Sequence, residues 1–445
     1  MSLFNNGSSA LSPWKSIDKI LLRFLVIYFI IQVVPLDWKF YRELFTIDWS
    51  DLSFYDLFQL TRYYPRFFGI EGFGNWAIVA LLAFIGTGVW TVRYSATDTS
   101  YDQLYYWLRV LLRYRLALGI IAYGLIKFFP LQMPYPSLSN LHTNYGDFYG
   151  WKIYFHTLGV AQGYEVFLGG VEIAAGILLL FRRTTTFGAG IILGFTGNVF
   201  AANFFYDAGE QVYSAYLFII AGILFLYDAP RLYRLLIQKK YTAANAFKPV
   251  FATNTLRKAR GILKTGAVVF IVLLAFATYT NFTRAPYKIP STPGLTGAYG
   301  FYNVREFRFN NTPIPYSTTD SNRWQNVIFE KWATGSIKIA RPVKIDNSTG
   351  DAYHKADIDR NFESAGVGGR HYYAYEADTV QHSLLFRNKN PHHAGEFYKL
   401  QYNFLNDSTI VLQGVNEKKD SIYAVLDRIN RKYMLFEGRR KRVKL

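Results

Sequence analysis

The stretch YEVFLGGVEIAAGILLLFRRTTTFGAGIILGFTGNVFAANFFYDAGEQVYSAYLFIIAGILFLY, residues 164–227, decides how the chain is read. Apolar runs of helix length pass through it, and they carry Glu165, Glu172, Asn198 and Asn203. Lipid offers such groups no partner, so polar side chains inside apolar helices turn inward and mark function. The expected protein is α-helical and integral to a membrane, with a polar interior.

Working outward, seven apolar spans approach the ~20 residues needed to cross ~30 Å of hydrocarbon. They cover residues 17–36, 74–92, 108–129, 161–181, 186–206, 212–228 and 263–281. Arg109, Arg113 and Arg115 interrupt the start of the third, as an interfacial stretch would. Basic residues gather on one side of the spans. Lys15, Lys19 and Arg23 lie at the first, Arg182 and Arg183 after the fourth, and a run from Arg231 to Lys264 after the sixth. The positive-inside rule then puts the N-terminus in the cytoplasm of a bacterial inner membrane, and the C-terminal part in the periplasm. No small-residue cleavage site follows the first apolar run, which is expected to remain as a helix.

The chain has 445 residues, is 51% hydrophobic and 18% aromatic, and bears a formal charge of +18. Its mean hydropathy is only +0.05, so an apolar part is averaged with a polar one. The charge sits beside the spans without a recognition motif, which argues against nucleic acid as a partner. No cysteine is present, which excludes thiolate nucleophiles, persulfide relays and iron–sulfur clusters on this chain. Residues 37–73 are rich in Trp, Tyr and Phe, which reads as an aromatic belt. Within them Ser53 is placed to cap a short helix to Leu60. From Thr283 onward the chain is polar, with alternating runs such as Lys399–Phe404 and turn signals at Asn406-Asp407 and Glu417–Asp420. The expected domains are a two-helix membrane region with its aromatic outer loop (1–95), a four-helix membrane core (104–235) and a basic cytoplasmic linker (236–262). A seventh transmembrane helix (263–281) and a mainly antiparallel β extracytoplasmic domain (282–445) complete them.

Within the fourth span, Glu165, Gly169, Glu172 and Gly176 fall on one helical stripe. Gly190, Gly194, Asn198 and Ala201 form a small-residue stripe on the fifth, and the two faces are expected to pack together. At 1.5 Å per residue, Glu165 lies about 6 Å below the outer surface and Glu172 roughly 16 Å. Lys127, Asp147, His156, Glu165, Asn203 and Asp207 share the outer level, with Tyr123 one turn deeper and Tyr206 beside Asp207. They are expected to form the rim of an outward-facing pocket whose floor is Glu172 and Asn198. Lys127 is placed either to snorkel to headgroups or to pair with Glu165. No metal site is expected, since His392-His393 stands isolated in the outer domain. No bis-histidine haem, phosphate loop or Ser-His-Asp arrangement is legible.

Residues 115–232 carry a series of short motifs. They are Arg115-Leu116-x-x-Gly119, Tyr123-Gly124-x-x-Lys127, Tyr145-Gly146-Asp147, Tyr164-Glu165 and Gly169-Gly170-x-Glu172. Arg182-Arg183-Thr184, Asn198-Val199, Asn203-Phe204-x-Tyr206-Asp207 and Tyr227-Asp228-x-Pro230-Arg231-Leu232 follow. In order and spacing this resembles the DoxX family of four-helix membrane proteins. The arrangement also resembles longer members of Bacteroidetes type, with extra N-terminal helices and a C-terminal periplasmic domain. The resemblance implies quinone-linked membrane redox or an oxidative-stress role. Thiosulfate chemistry, known for some relatives, does not carry over to a chain without cysteine. On this footing Glu172 and Glu165 are the candidate catalytic residues, and Lys127, Tyr123, Asn198, Asn203, Tyr206 and Asp207 the candidate ligand-binding ones. No covalent cofactor is implied, and a quinone is the expected ligand. The expected partners are the lipid bilayer and a redox or periplasmic protein. If the chain is an enzyme, it is a subunit of a quinone-linked oxidoreductase. A non-catalytic assembly or anchoring protein stays open, as does a transporter.

Overall fold

The computed structural model describes residues 4–5, 14–50, 52–67, 72–93, 101–242, 250–251 and 254–437. The chain divides into two compact units. One comprises Met1–Phe129 and Phe167–Thr280, the other Pro130–Val166 and Asn281–Leu445. Residues 130–166, expected within the four-helix membrane core, thus belong with the C-terminal part.

The first unit is helical. Its elements are α1 (Ser16–Val33), α2 (Trp38–Thr46), α3 (Phe54–Thr61), α4 (Gly74–Arg93) and α5 (Tyr101–Phe128). Residues 130–166 of the other unit contribute α6 (Leu138–Leu141) and α7 (Gly150–Gly159). Then come α8 (Gln162–Leu180), α9 (Thr185–Phe205), α10 (Gln211–Leu226), α11 (Ala229–Leu232) and α12 (Asn254–Arg284). A two-residue antiparallel pairing joins β1 (Phe4–Asn5) to β2 (Val250–Phe251). Leu22, Val26, Phe29 and Val33 form the buried stripe of α1, at the 4-3-4 spacing of one helical face. Much of the surface is the reverse of a water-soluble protein's. On α4, Leu81, Phe84, Ile85 and Val89 lie exposed, and α12 exposes Ile262, Leu263, Val272 and Phe276. Continuous apolar surface of this extent needs an apolar solvent.

Among the described residues, five helical stretches are long and apolar enough to cross a membrane, and a bent pair brings the number to six. That corrects the expected seven. α10 runs into the segment 229–237 through a 56° bend, so the sixth span is broken. The expected third span became α5, whose 28 residues include Asp102, Arg109, Arg113, Arg115 and Lys127. It has the length to cross but too many charges to be called a span by composition.

The second unit is a closed antiparallel barrel. Its strands are β3 (Gly300–Phe309), β5 (Asn326–Phe329), β6 (Thr334–Lys338), β7 (His371–Asp378), β8 (Ser383–Asn388), β9 (Phe397–Asn406), β10 (Thr409–Asn416) and β11 (Ser421–Arg428). The short β4 (Thr312–Pro313) hangs from β3. Each strand pairs with its neighbour, and β11 pairs back onto β3, from Ile422 opposite Phe309 to Arg428 opposite Tyr302. Period-two alternation makes the core. On β9, Tyr398, Leu400 and Tyr402 turn in while Lys399, Gln401 and Asn403 turn out. Trp324, Phe307, Phe329, Tyr373 and Phe386 fill the interior. Strand crowding demands glycine at Gly414, where a Cβ would lie 2.9 Å from Leu400 Cα.

Candidate functional site

In the helical unit α5 and α8 cross closely near the end of α5. A Cβ on Gly124 would lie 2.9 Å from Gly169 O, and one on Gly169 would strike the backbone at Phe128. Gly176, two turns on, faces Ala117 and Ile121 of α5 in the same way. The glycine stripe of α8 therefore packs on α5, whereas the stripe of α9 was its expected partner. Gly188 is the α9 glycine that meets α8, while Gly190 meets Phe225 of α10 and Gly194 has nothing near it.

This crossing brings together two charges. Lys127 Nζ donates to Glu172 Oε1 at 2.5 Å, with side-chain exposures of 5% and 4%. Lys127 thus pairs with Glu172, not with Glu165. Among the described residues Glu172 Oε2 is buried with no hydrogen-bond partner. A carboxylate can accept about four hydrogen bonds, so this oxygen has acceptor capacity to spare.

A second cluster lies against the first, where the candidate Tyr123 meets Arg62, Glu210 and Tyr213, which were not among the sequence-based candidates. Lys127 Nζ is 6.0 Å from the centre of the Tyr123 ring. The Tyr123 hydroxyl donates to Glu210 Oε2 at 2.9 Å, and Arg62 Nη2 donates to Glu210 Oε1 at 2.5 Å. Tyr123 stacks on Tyr213 at 5.5 Å, and the Arg62 guanidinium lies 5.9 Å from both rings. The position of Arg62 follows from α3. Ser53 caps that helix, accepting from Asp56 N, and its buried face of Phe54, Leu57, Phe58 and Thr61 sets Phe58 5.2 Å from Tyr123. This face of α3 is thus turned inward. At the other end, Arg115 Nη1 and the Tyr213 hydroxyl both donate to Thr61 O, while Arg115 Nη2 reaches Tyr63 O at 2.6 Å. A buried cation thereby satisfies carbonyls that a helix C-terminus leaves unpaired.

The other expected site residues are dispersed. Asn203 is buried, but Asn198 faces outward from the bundle. Five residues turn a helix by about 500°, some 140° past a full circle, so the two cannot share a face. Asn198 therefore does not lie beneath Glu172. Tyr206 and Asp207 are exposed at the end of α9, where Asp207 takes φ +53° and accepts from Gln211 Nε2 at 3.2 Å. Glu165 is buried within the barrel unit and accepts from Met133 N at 2.9 Å. Asp147 and His156 also belong to that unit. The expected single rim is divided between the two units.

The barrel unit has a buried ionisable cluster of its own. Glu330 accepts from Ser139 N at 2.7 Å, Ser139 Oγ at 2.6 Å and Leu138 N at 3.2 Å. Burial, with Glu363 nearby, still pushes its carboxyl up to about 7. Glu363 accepts from Trp332 Nε1 at 2.9 Å. Lys152 on α7 is fully buried, donates to Phe362 O and stands 3.8 Å from the Phe362 ring. Burial and the nearby Lys288 bring its ammonium down to about 7. Lys288 pairs with Asp351 and donates to Gln132 O at 2.6 Å. No pattern in the sequence marks these groups, because α7 reads only as an amphipathic loop helix and Glu330 only as the end of a strand.

No family model matches the chain, and no solved structure matches it. The chain is 35% identical over 79 residues to the uncharacterized protein YwoB of Bacillus subtilis (strain 168). That match covers 18% of this chain and 51% of the relative, so the chain spans about half the length of the curated relative it matches.

Proposed function

We propose that this is a DoxX-like integral protein of a bacterial inner membrane, with its N-terminus in the cytoplasm and its barrel in the periplasm. Its helical unit binds a quinone or a similar small ligand at the Lys127–Glu172 pair, in support of membrane-linked redox chemistry. The observation that carries this is the free Oε2 of Glu172 beside a buried ammonium. Such a pair can hydrogen-bond a carbonyl through Lys127 and a hydroxyl through Glu172, which are the two oxidation states of a quinone oxygen. Tyr123 and Phe58 supply aromatic surface, and the Tyr123–Glu210–Arg62 chain continues the polar path.

Native mass spectrometry of the detergent-purified protein tests the proposal. Wild type should carry a quinone, and Glu172→Gln and Lys127→Met should lose it. Retention of the same ligand by both variants would refute it. A second reading, an assembly or anchoring protein, is favoured by the way Arg115 ties α5 to the end of α3. On that reading the same substitutions change stability alone.

A further inference from the structure

Strand register brings together two histidines that lie far apart along the chain. β7 and β8 pair antiparallel with Tyr373 opposite Asn388, and Lys389 N bonds Tyr372 O at 2.8 Å. The strands therefore deliver His371 beside the turn that leaves β8. Asn390 caps that turn, accepting from His392 N at 3.0 Å, and its side chain donates to Lys344 O at 2.8 Å. His393 N bonds Asn390 O, Glu396 N bonds His393 O, and Asn388 N bonds Glu396 O. The turn thus fixes His393 and Glu396 three residues apart on one side.

The geometry points to a divalent transition-metal site, of the kind that takes zinc, held by His371, His393 and Glu396. One potential ligand atom from each lies within 4.8 Å of the other two. The histidine rings are 5.4 Å apart at 78°, and His393 Nδ1 is 2.9 Å from Glu396 Oε1. Two imidazoles and one carboxylate form a ligand set that zinc takes with a fourth, open position.

The surroundings fit this role. Glu396 Oε2 is gripped by Arg341 Nη2 at 2.6 Å and Asn388 Nδ2 at 3.1 Å, which turns Oε1 toward His393 Nδ1, where an ion would replace the hydrogen between them. His371 is 2% exposed, and among the described residues its Nδ1 has no hydrogen-bond partner, while Nε2 lies 3.4 Å from Arg341 O. A ring nitrogen facing a carbonyl fixes the tautomer and leaves the other nitrogen's lone pair free, the usual outer arrangement of a metal-bound histidine. His393 and Glu396 are 16% and 19% exposed, so an ion has a way in. Arg341 offsets the carboxylate's charge, so one equivalent binding more weakly than at an all-anionic site is the expected stoichiometry.

The test uses full-length protein in detergent, stripped with chelator and titrated with Zn²⁺ or Co²⁺ alone. Wild type should bind one equivalent, give the intense visible spectrum of tetrahedral Co²⁺, and melt at a higher temperature with metal than without. His371→Gln and Glu396→Gln should weaken binding by at least about 100-fold, and Asn388→Ala, an outer partner, by about 10-fold. His382→Asn, an exposed barrel histidine outside the cluster, should bind like wild type. Failure of wild type to bind, or undiminished binding by folded His371→Gln and Glu396→Gln, overturns the site. A variant that no longer folds is replaced by His393→Gln, judged by the same metal-dependent shift in melting.

Discussion

Lys127→Met leaves Glu172 buried against the α5–α8 crossing with no cation, and Glu172→Leu does the same to the ammonium. At 2.5 Å and an effective dielectric constant of 20, the gross attraction is roughly 7 kcal/mol. Most of that is offset by the desolvation of both groups, so the pair is worth little against two apolar side chains of like volume. Breaking it by half is another matter. Each single substitution should cost about 3–5 kcal/mol, because one charge remains buried and uncompensated. The double variant Lys127→Met with Glu172→Leu should return to within about 1–2 kcal/mol of wild type. Reversible unfolding in mixed micelles, with all four proteins compared as a cycle, measures this. Ligand content of the same preparations gives a second readout: the double variant should regain stability yet stay without quinone. Additive costs, or single costs below about 1 kcal/mol, would refute the buried-pair reasoning. Recovery of the ligand in the double variant would refute the functional one.

Further expectations concern other parts of the molecule. Arg115→Met strips donors from Thr61 O and Tyr63 O and should cost about 2–3 kcal/mol in the same unfolding assay, with α3 the first segment to exchange its amide hydrogens. Gly169→Ala drives a methyl into the backbone at Phe128 and should destabilise by more than about 2 kcal/mol, whereas Gly194→Ala, in open space, should be neutral or stabilising by up to about 1 kcal/mol. Thermal melts of the two variants side by side check that contrast. Glu330 has its folded value raised from 4.5 to about 7, so its stabilising share is complete below pH 4.5 and is lost as pH rises through 7. Wild-type barrel stability should fall relative to that of Glu330→Gln by on the order of 3 kcal/mol between pH 4.5 and pH 8, read as protease resistance in a denaturant series. A constant difference across that range would exclude a buried, proton-linked Glu330.

Both members of the central ion pair were legible in the sequence, but their pairing was not. Depth along a helix axis ranked Glu165 with Lys127, yet partners are chosen where helices cross, and glycines at 124 and 169 set that point on a level with Glu172. Ser53 as a cap disclosed α3, while the sense of its buried face depended on α5. Arg62 and Glu210 went unnoticed, and Arg115 was read as an interfacial residue, because charges at the ends of apolar runs look like ordinary interface residues. Asn198 was misplaced by treating level as equivalent to facing. For the barrel, alternation and turn signals marked the meander from residue 396 onward, whereas closure rests on β3, more than a hundred residues upstream of its partner β11. His371 and His393 show the same limit: strand pairing, not spacing, makes them neighbours.

Closing β11 on β3 also dictates when this domain can come into being. Phe309 and its partner Ile422 are separated by the whole of the intervening barrel, so the ribosome needs roughly 6–23 s at ordinary elongation rates to deliver the second after the first. Until then the nascent sheet has open edges on both sides and a core of half-covered tyrosines and phenylalanines. Its contact order is correspondingly high, and such topologies fold slowly. A chain truncated anywhere before Ser421 would be a sheet with unpaired flanks, prone to strand exchange with its neighbours. For this protein, quality control during biosynthesis therefore turns on the arrival of one late strand.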